Sequence, residues 1–401
     1  MTADAPPSDE GAPMEREQTE RVLIAGGGIA GLALRRALQR RGIPSLTWER
    51  RAEPADAGLA INLPGNAVQA LAQLGLAQEL GALGAPIRRR EYRTETGRLL
   101  FAIDEDAFWG DDRVPRCLRR ADLLRLLALG LPSDDLRRDR GIAAFHQEAG
   151  GVAVTLTDGG VEAGGLLVGA DGVHSTIRRG LFGERALGAA MLAPASWRFM
   201  VPNPGVEAWT LWAGAGSLFL LIPIDRGDAY AWVSASGIAT TRPDPALLRS
   251  VFARYPRPVR DALDTALARP DAIHHSPLEE VRIPHWHRGR VLLAGDAAHA
   301  TAPVWAQGAA LALEDALVLA DRLAGRGNWD EAGADYEALR RPRVAHVQAM
   351  TDRLSRTARL PGWARRLLLP VMGPRSYRAT YAPLRIPVTA SSPEVLPRNC
   401  R

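Results

Sequence analysis

The amino-acid sequence predicts an α/β fold in which a parallel sheet with helices is interwoven with a smaller antiparallel sheet. Three observations predict it. A strand, a glycine-rich turn and a helix follow one another over residues 21–42 and lead into a second strand at 45–48. Two further apolar strands, at 166–170 and 291–294, each end in a turn that carries an aspartate. Between them, residues 187–272 hold short alternating runs rich in tryptophan, the pattern of a sheet with one buried face.

The composition is that of a globular chain, with 46% hydrophobic and 24% charged residues. The formal net charge is +5, and all 50 basic residues are arginine because the chain contains no lysine. GC-rich coding is the simpler cause, and anion binding is the functional alternative. Two cysteines, Cys117 and Cys400, are too few for a disulfide framework or a cysteine-built metal site.

No apolar run is long enough to predict a transmembrane helix. Residues 1–19 are rich in Pro, Asp and Glu and have no apolar core, so we expect a disordered leader rather than a signal peptide, and a cytoplasmic protein.

The remaining elements follow from hydrophobic periodicity and turn residues. A turn and a helix are expected over 58–81, a hairpin over 88–101, and helices over 120–131, 307–324 and 329–350. A strand at 152–156 precedes the Asp-Gly-Gly turn that leads to the strand at 166–170. The Pro-rich stretch beyond residue 360 predicts no clear element.

The first glycine-rich turn reads Gly26-x-Gly28-x-x-Gly31, between a strand and a helix. Gly26 permits the tight turn, Gly28 lets the backbone approach a pyrophosphate, and Gly31 allows the helix to pack closely on the strand. The helix N-terminus attracts phosphate, and Glu49 at the end of the second strand is placed to accept hydrogen bonds from ribose hydroxyls. The pattern predicts dinucleotide binding and does not separate NAD from FAD.

Two later motifs also present a carboxylate at the end of a strand. One is Gly169-Ala-Asp171-Gly172, and the other is Gly295-Asp296-Ala-Ala-His299 followed by Pro303. Open α/β sheets bind ligands at this edge.

The three motifs, in this order and spacing, resemble those of the FAD-dependent single-component aromatic hydroxylases, the para-hydroxybenzoate hydroxylase-like flavoprotein monooxygenases. The resemblance covers about residues 20–350. It implies a Rossmann-like FAD-binding domain, with NADPH or NADH as the reductant. It also implies that the enzyme inserts one oxygen atom of O₂ into an electron-rich aromatic or polycyclic molecule through a C4a-hydroperoxyflavin.

The resemblance assigns the cofactor residues by position. The first motif holds the ADP part of FAD, the Asp-Gly motif lies near the pyrophosphate, and the Gly-Asp motif binds ribitol and borders the ring. An arginine of the family contacts FAD from the helix after the first crossover. The expected cofactor-binding residues are Gly26, Gly28, Ile29, Ala30, Gly31, Glu49, Arg50, Arg120, Asp171, Gly172, Asp296, Pro303, Gln307 and Gly308.

The chain departs from the family after the proline, where Gly-Gln-Gly-x-Asn or -Gly is usual. Ala306 adds a methyl group and Ala310 lacks an amide, so we expect a narrower and less polar surface near the flavin. The family's middle sheet covers the substrate pocket, which makes aromatic residues of that region candidates for substrate contact. The candidates are Trp212, Phe219, Tyr230, Trp232 and Trp305. No catalytic acid or base can be assigned.

The domain boundaries follow from the motifs. We expect the FAD-binding domain to comprise residues 20–85, 115–186 and 275–350, and the substrate domain residues 86–114 and 187–274. A C-terminal helical or irregular tail covers 351–401. Its Arg-rich amphipathic segment is expected to pack on the FAD domain, with subunit pairing or membrane contact as alternatives.

Other functions remain open at this stage. A flavin epoxidase acting on an alkene, a flavin dehydrogenase, and a dinucleotide-sensing regulator would share the same motifs. The partners expected are a small-molecule substrate and O₂, with no nucleic acid, no stable membrane insertion, and a monomer or homodimer. His274-His275 and His285-x-His287 lack supporting ligand spacing, so we expect no metal, and His299 is expected to be structural.

Overall fold

The structure is a computed structural model, and it describes residues 20–53, 59–183, 190–225, 227–235, 244–325, 328–358 and 362–389. The predicted leader, residues 1–19, and Cys400 lie outside these ranges. None of the helices within them is long and apolar enough to cross a membrane.

The strands belong to two large sheets and two small ones. In chain order they are β1 (Val22–Ala25), β2 (Ser45–Glu49), β3 (Ala60–Leu63), β4 (Ala85–Pro86), β5 (Arg89–Thr94), β6 (Leu99–Asp104), β7 (Arg116–Arg119), β8 (Leu136–Arg138), β9 (Ile142–Glu148), β10 (Gly151–Leu156), β11 (Val161–Gly164), β12 (Leu166–Gly169), β13 (Ala190–Pro202), β14 (Trp209–Ala213), β15 (Ser217–Pro223), β16 (Asp228–Ala235), β17 (His274–Glu280), β18 (His287–Arg288) and β19 (Val291–Leu293).

The helices flank these sheets and form the C-terminal part of the chain. They are α1 (Ile29–Gln39), α2 (Gly65–Gln73), α3 (Ala77–Gly81), α4 (Glu105–Trp109), α5 (Arg120–Ala128), α6 (Thr176–Phe182), α7 (Pro245–Phe252), α8 (Arg257–Leu267), α9 (Asp296–His299), α10 (Gln307–Leu323), α11 (Ala332–Ala358) and α12 (Gly362–Tyr381). The strands predicted at 21–25, 45–48, 152–156, 166–170 and 291–294 are confirmed to within a residue at either end.

One helix prediction needs correction, and one stretch for which no clear element was predicted is helical. The single helix expected within 58–81 is a strand, β3, followed by two helices, α2 and α3. The break falls at Gly75, whose φ of +78° ends α2 and turns the chain. The stretch beyond residue 360 is the helix α12 despite Pro370 and Pro374 within it.

The first large sheet has the order β18-β19-β12-β1-β2-β8, and all its pairings are parallel except β18 with β19. Strands β1 and β12 are buried along their whole length, as expected for apolar strands covered on both faces. In the register, Ala25 lies beside Trp48 and Gly169, and Gly169 lies beside Leu293. The carboxyl ends of β2, β1, β12 and β19 therefore meet at one edge, and the three motifs follow them.

The second large sheet has the order β17-β13-β16-β15-β14-β5-β6. The predicted hairpin over 88–101 is confirmed as β5 and β6, and β5 joins the tryptophan-rich strands by pairing in parallel with β14. One face of this sheet, here called the outer face, packs on α7 and α8 around residues such as Phe199, Phe219 and Phe252. The other, the inner face, packs on Cys117 of β7 and on Leu59, which directly precedes β3, in the small sheet of β3, β7 and β4.

Candidate active site

The glycine turn after β1 has the geometry its sequence predicts. Gly26 has a φ of +112°, and a Cβ added there would lie 2.4 Å from the carbonyl oxygen of Ala170. A Cβ on Gly31 would lie 1.8 Å from the Gly26 carbonyl oxygen, so α1 packs on the turn with no room for a side chain. A Cβ on Gly28 would meet nothing within 4 Å. The turn is therefore tight on its protein side and open at Gly28.

Glu49 closes one end of this turn. Its Oε2 accepts a hydrogen bond from the backbone N–H of Gly27 at 2.8 Å, and its Oε1 accepts one from Arg51 at 3.0 Å. Arg50 beside it is exposed. No side chain in the described chain caps the N-terminus of α1, and its first turn has no acidic residue. The N–H groups that begin α1 remain available for an anion.

Asp171 lies against the same turn, because a Cβ on Gly26 would come within 3.1 Å of its Cα. Its Oδ2 accepts hydrogen bonds from Thr176 and Ile177 at 2.7 and 3.2 Å, which fixes the carboxylate at the start of α6. Its Oδ1 is buried and finds no partner within the described residues. The next residue, Gly172, has a φ of +83° and open space around its Cα.

The turn after β19 approaches α1 from the other side. Gly295 has a φ of +59°, and a Cβ on it would lie 2.8 Å from the Cβ of Ala30. Asp296, which begins α9, is exposed, whereas Ile29 on the neighbouring helix is buried. A Cβ on Gly308 would lie 3.7 Å from Asp296 Oδ1. The fold thus gathers the first and third motifs around one cleft with a solvent-facing carboxylate.

Behind Asp296, a second aspartate holds the turn in place. Asp315 of α10 is fully buried and accepts a hydrogen bond from the backbone N–H of Gly295 at 2.9 Å. His299 Nε2 lies 2.7 Å from its Oδ2, and Arg340 Nε donates to its Oδ1 at 2.7 Å. Burial by itself would raise the pKa of Asp315, but His299 and Arg340 outweigh it and hold the pKa well below the usual range.

The buried network extends from Asp315 to the start of α10. Arg340 also donates to Glu314 Oε2 at 2.9 Å, and Asn66 of α2 donates to Glu314 Oε1 at 2.9 Å. Asn66 and Gln307 exchange two amide hydrogen bonds, at 3.0 and 3.2 Å. The side chain of Gln307 is therefore directed into the interior, and the structure does not bring it to Asp296.

Ala306, which precedes α10, occupies a left-handed conformation with φ of +54° and ψ of 32°. Side chains are disfavoured there by roughly 1–2 kcal/mol, and glycine is the residue that adopts this conformation freely. The resembled family has glycine here. The departure noted in the sequence therefore places a strained residue at the entry to α10.

Two other predicted residues lie beside this turn. Pro303 is exposed, whereas Trp305 is buried and packs edge-on against Tyr381 of α12 with ring centroids 6.0 Å apart. The Tyr381 hydroxyl donates to the Trp305 carbonyl oxygen at 2.7 Å. Trp305 thus attaches the turn to the C-terminal helix.

Among the predicted substrate residues, the alternation of the strands separates two pairs. Trp212 and Phe219 lie in the outer-face core, where Phe219 packs edge-on against Phe252 at 5.3 Å. The structure does not bring them to the cleft. Successive side chains of a strand point to opposite faces, and those of Trp212 and Phe219 point to the outer one. Tyr230 and Trp232 lie on the inner face, with Leu59 and Cys117.

The register adds two polar residues that the sequence analysis did not single out for the substrate site. Arg198 pairs directly with Trp232 on one side and with His274 on the other, so the three side chains form a cross-strand row on the inner face. Arg198 and Arg120 both act electrostatically on Tyr230. Arg120, at the start of α5, therefore lies near the same part of the inner face.

Two side chains near Arg198, those of Tyr230 and His274, are held in their neutral forms. Burial raises the pKa of Tyr230 to about 12, so its hydroxyl stays protonated at neutral pH. Burial, Arg198 and His275 together lower the pKa of His274, which keeps its imidazole neutral. No group of three or more His, Cys, Asp or Glu side chains that could hold a metal occurs in the described part of the chain.

Asp315, Asn66 and Arg340 were also missed as site residues. The sequence carries a signal for Asp315, because this residue lies on α10, the helix in which the third motif ends. Asn66 and Arg340 carry no local signal, since they reach the network from separate helices.

The cleft fits FAD on three structural grounds. These are the open backbone at Gly28, the unpartnered Oδ1 of Asp171, and the exposed Asp296 facing Gly308. The family model described as "FAD binding domain" matches residues 19–352. The chain belongs to this family of flavoproteins.

The relatives define the activity more closely. The chain is 32% identical over 368 residues to the 3-amino-4-hydroxybenzoate 2-monooxygenase of Streptomyces cremeus, covering 85% of this chain and 88% of that protein. It is 34% identical over 313 residues to the 2-heptyl-3-hydroxy-4(1H)-quinolone synthase of Pseudomonas aeruginosa, covering 75% and 79%. The structure of Klebsiella pneumoniae HpxO complexed with FAD and uric acid superposes with a TM-score of 0.75 and 27% identity, covering 92% and 93%. The protein is an FAD-dependent monooxygenase.

Proposed function

We propose that this enzyme takes electrons from NAD(P)H in the cytoplasm and hydroxylates a planar, electron-rich aromatic molecule whose own oxygen substituent pairs with Arg198. The observation that carries the proposal is the cross-strand row of Arg198, Trp232 and His274 on the inner face. FAD, when bound, supplies the redox and oxygen chemistry that protein side chains lack.

The cofactor would be held mainly by backbone groups and three carboxylates. The N–H groups that begin α1 would bind the pyrophosphate, and Glu49 the adenosine ribose. Asp171 would offer its unpartnered Oδ1 as an acceptor to a hydroxyl group of the cofactor near the pyrophosphate. Asp296 would bind ribitol, and the backbone of Gln307 and Gly308 would border the ring. Pro303, Gly172, Arg50 and Arg120 would complete the enclosure.

The substrate would lie between this cofactor and the inner face. Trp232 offers a flat apolar surface, and Arg198 beside it would pair with a phenolate, carboxylate or carbonyl oxygen. The neutral imidazole of His274 would accept a hydrogen bond from a phenol hydroxyl, which raises the electron density of the ring. Relatives named for a hydroxybenzoate and a quinolone, and the structure with uric acid, support planar rings that carry oxygen.

The substrate class is tested by screening the flavin-loaded enzyme for NADPH and NADH oxidation with phenols, hydroxybenzoates, quinolones and purines. A product heavier by one oxygen atom is expected from an oxygenated ring. For that substrate, Arg198→Gln should lower kcat/KM by about 10- to 100-fold, as for the loss of a charge-assisted hydrogen bond worth 1.5–3 kcal/mol. Arg254→Gln on the outer side is the matched control and should leave kcat/KM unchanged. Equal activity of the Arg198→Gln variant would contradict the assignment.

The cofactor assignment is tested separately by flavin retention. Asp296→Ala should weaken FAD binding by about 1.5–3 kcal/mol, seen as loss of flavin absorbance on dilution and filtration. Asp261→Ala removes an exposed carboxylate from α8 and should retain flavin like the wild type. Full flavin retention by Asp296→Ala would remove Asp296 from the cofactor site without affecting the substrate proposal.

A further inference from the structure

One helix carries a continuous apolar surface that the described chain leaves uncovered. Along α12 the exposed fractions are 69% for Trp363, 70% for Leu367, 42% for Leu368, 57% for Val371 and 53% for Met372. We call these five residues the α12 face. Other exposed large apolar residues, such as Val161 and Leu247, are single and scattered, which is normal for a protein surface.

The opposite side of α12 is fixed, so the helix cannot roll to bury this face. Gly373 lies so close to Phe101 that an added Cβ would come within 2.3 Å of its ring. The Tyr377 hydroxyl donates to Glu105 Oε2 at 2.6 Å in a buried position, and Tyr381 is bonded to the Trp305 carbonyl as described above. The exposed orientation of the α12 face is therefore a consequence of buried contacts.

The charge of α12 is entirely positive. Its sequence contains four arginines, at positions 365, 366, 375 and 378, and no Asp or Glu. Leu367, Val371 and Arg375 follow one another at four-residue intervals, so the apolar surface continues into a basic one. Arg366 pairs with Glu95 at 2.7 Å, while Arg375 and Arg378 are exposed.

We propose that the α12 face docks on an anionic lipid bilayer, with the helix lying in the plane of the membrane surface. Tryptophan and leucine beside exposed arginines are the composition of interfacial helices, in which apolar burial adds to attraction by anionic headgroups. A second copy of the chain fits less well, because two α12 faces would bring arginines together with no carboxylate on either helix to pair with them. The docking is independent of the substrate proposed above.

The contacts of α12 locate the proposed membrane surface relative to the active site. The anchored side of α12 contacts Phe101 on the edge strand β6 and Trp305 in the turn beside α10. A bilayer bound to the α12 face would therefore lie on the side of the molecule where the second sheet meets the flavin turn.

The test is co-sedimentation of the flavin-loaded, full-length enzyme with vesicles. We expect binding to phosphatidylcholine vesicles that contain phosphatidylglycerol, weaker binding to pure phosphatidylcholine, and release by salt. The double variant Leu367→Ser/Val371→Ser should lower the partition coefficient by about tenfold or more. Arg375→Gln/Arg378→Gln should reduce the preference for anionic vesicles by about tenfold.

Matched controls replace exposed apolar residues and exposed arginines outside α12. Val161→Ser/Leu247→Ser and Arg254→Gln/Arg260→Gln change exposed residues elsewhere on the surface and should bind like the wild type. Absence of binding to every vesicle, or binding that survives Leu367→Ser/Val371→Ser, would overturn the proposal. Sedimentation that instead shows a dimer dissociated by the same double variant would assign the α12 face to a second copy and also overturn it.

Discussion

The two sides of the cleft are built by opposite means. On the flavin side, the turn from Gly295 to Gly308 is held from behind by buried charges, with Asp315 bonded to Gly295, His299 and Arg340. On the proposed substrate side, the inner face of the second sheet is held by an apolar core on its outer face, around Phe219 and Phe252.

The difference shows how this fold separates cofactor binding, which requires a fixed geometry, from substrate binding, which can vary. A buried ionic network tolerates few changes, because each charge depends on its partners. In a strand, by contrast, residues one apart point to opposite faces, so Phe219 contributes to stability while the neighbouring inner-face positions remain free to fit a substrate. We therefore expect flavin-side variants to affect cofactor and stability together, and sheet variants to affect them separately.

The largest effect is expected from Asp315→Asn. The variant leaves Arg340 with one buried carboxylate instead of two, and removal of one partner from a buried pair costs about 3–5 kcal/mol. Urea unfolding should show this loss, and the variant should also lose FAD on dilution because the Gly295 turn is no longer anchored. Asp321→Asn on the same helix is half-exposed and should cost less than about 1 kcal/mol. A stable Asp315→Asn variant that retains flavin would contradict the expectation that flavin-side variants lower stability and cofactor binding together.

The same residue gives a pH dependence. The pKa of Asp315 is lowered in the folded state, so its stabilising effect is present above the unfolded value of about 3.9 and is lost as the pH falls below it. The free energy of unfolding of the wild type should therefore decline below about pH 4, and that of Asp315→Asn should decline less steeply over the same range. Parallel decline of the two proteins would count against the assigned charge state.

The next effect is expected from Phe219→Ala on the outer face. Loss of a fully buried phenylalanine should lower the free energy of unfolding by about 3 kcal/mol, while KM for the aromatic substrate and FAD retention stay unchanged. Trp232→Phe, on the inner face of the adjacent strand, should do the reverse and raise KM with little change in the unfolding midpoint. A shift of KM in Phe219→Ala would show that the two faces are not independent.

The same comparison explains what the sequence could predict. The glycine turn, Glu49 and the strand-end aspartates are local features, because each role depends on a neighbouring strand or helix, and their positions were predicted from spacing. Which side chains lie on the inner face depends on the register of the strands. Trp212, Phe219, Tyr230 and Trp232 look alike in sequence, and only the phase of β14, β15 and β16 separates the outer pair from the inner pair.

Residues that act through long-range contacts escaped the sequence altogether. Arg340 is 25 positions from Asp315, and Asn66 is 241 positions from Gln307. No periodic pattern in the sequence predicts that these side chains are in contact. The interior direction of Gln307 was missed for the same reason, since its motif indicates the cofactor while its partner lies on α2.

The smallest effect is expected from Ala306→Gly, which tests whether the flavin side stores strain. Glycine removes the clash of an alanine at a φ of +54°, at the cost of a more flexible unfolded chain, so the free energy of unfolding should rise by about 0.5–1 kcal/mol. Ala309→Gly, three residues later within α10, should lower it by about 0.5–1 kcal/mol because that position is helical. Opposite signs in urea unfolding would locate the strain at residue 306, and equal losses would show that Ala306 is unstrained. Substrate KM should not respond to either change, because the inner face of the sheet is held by its own core.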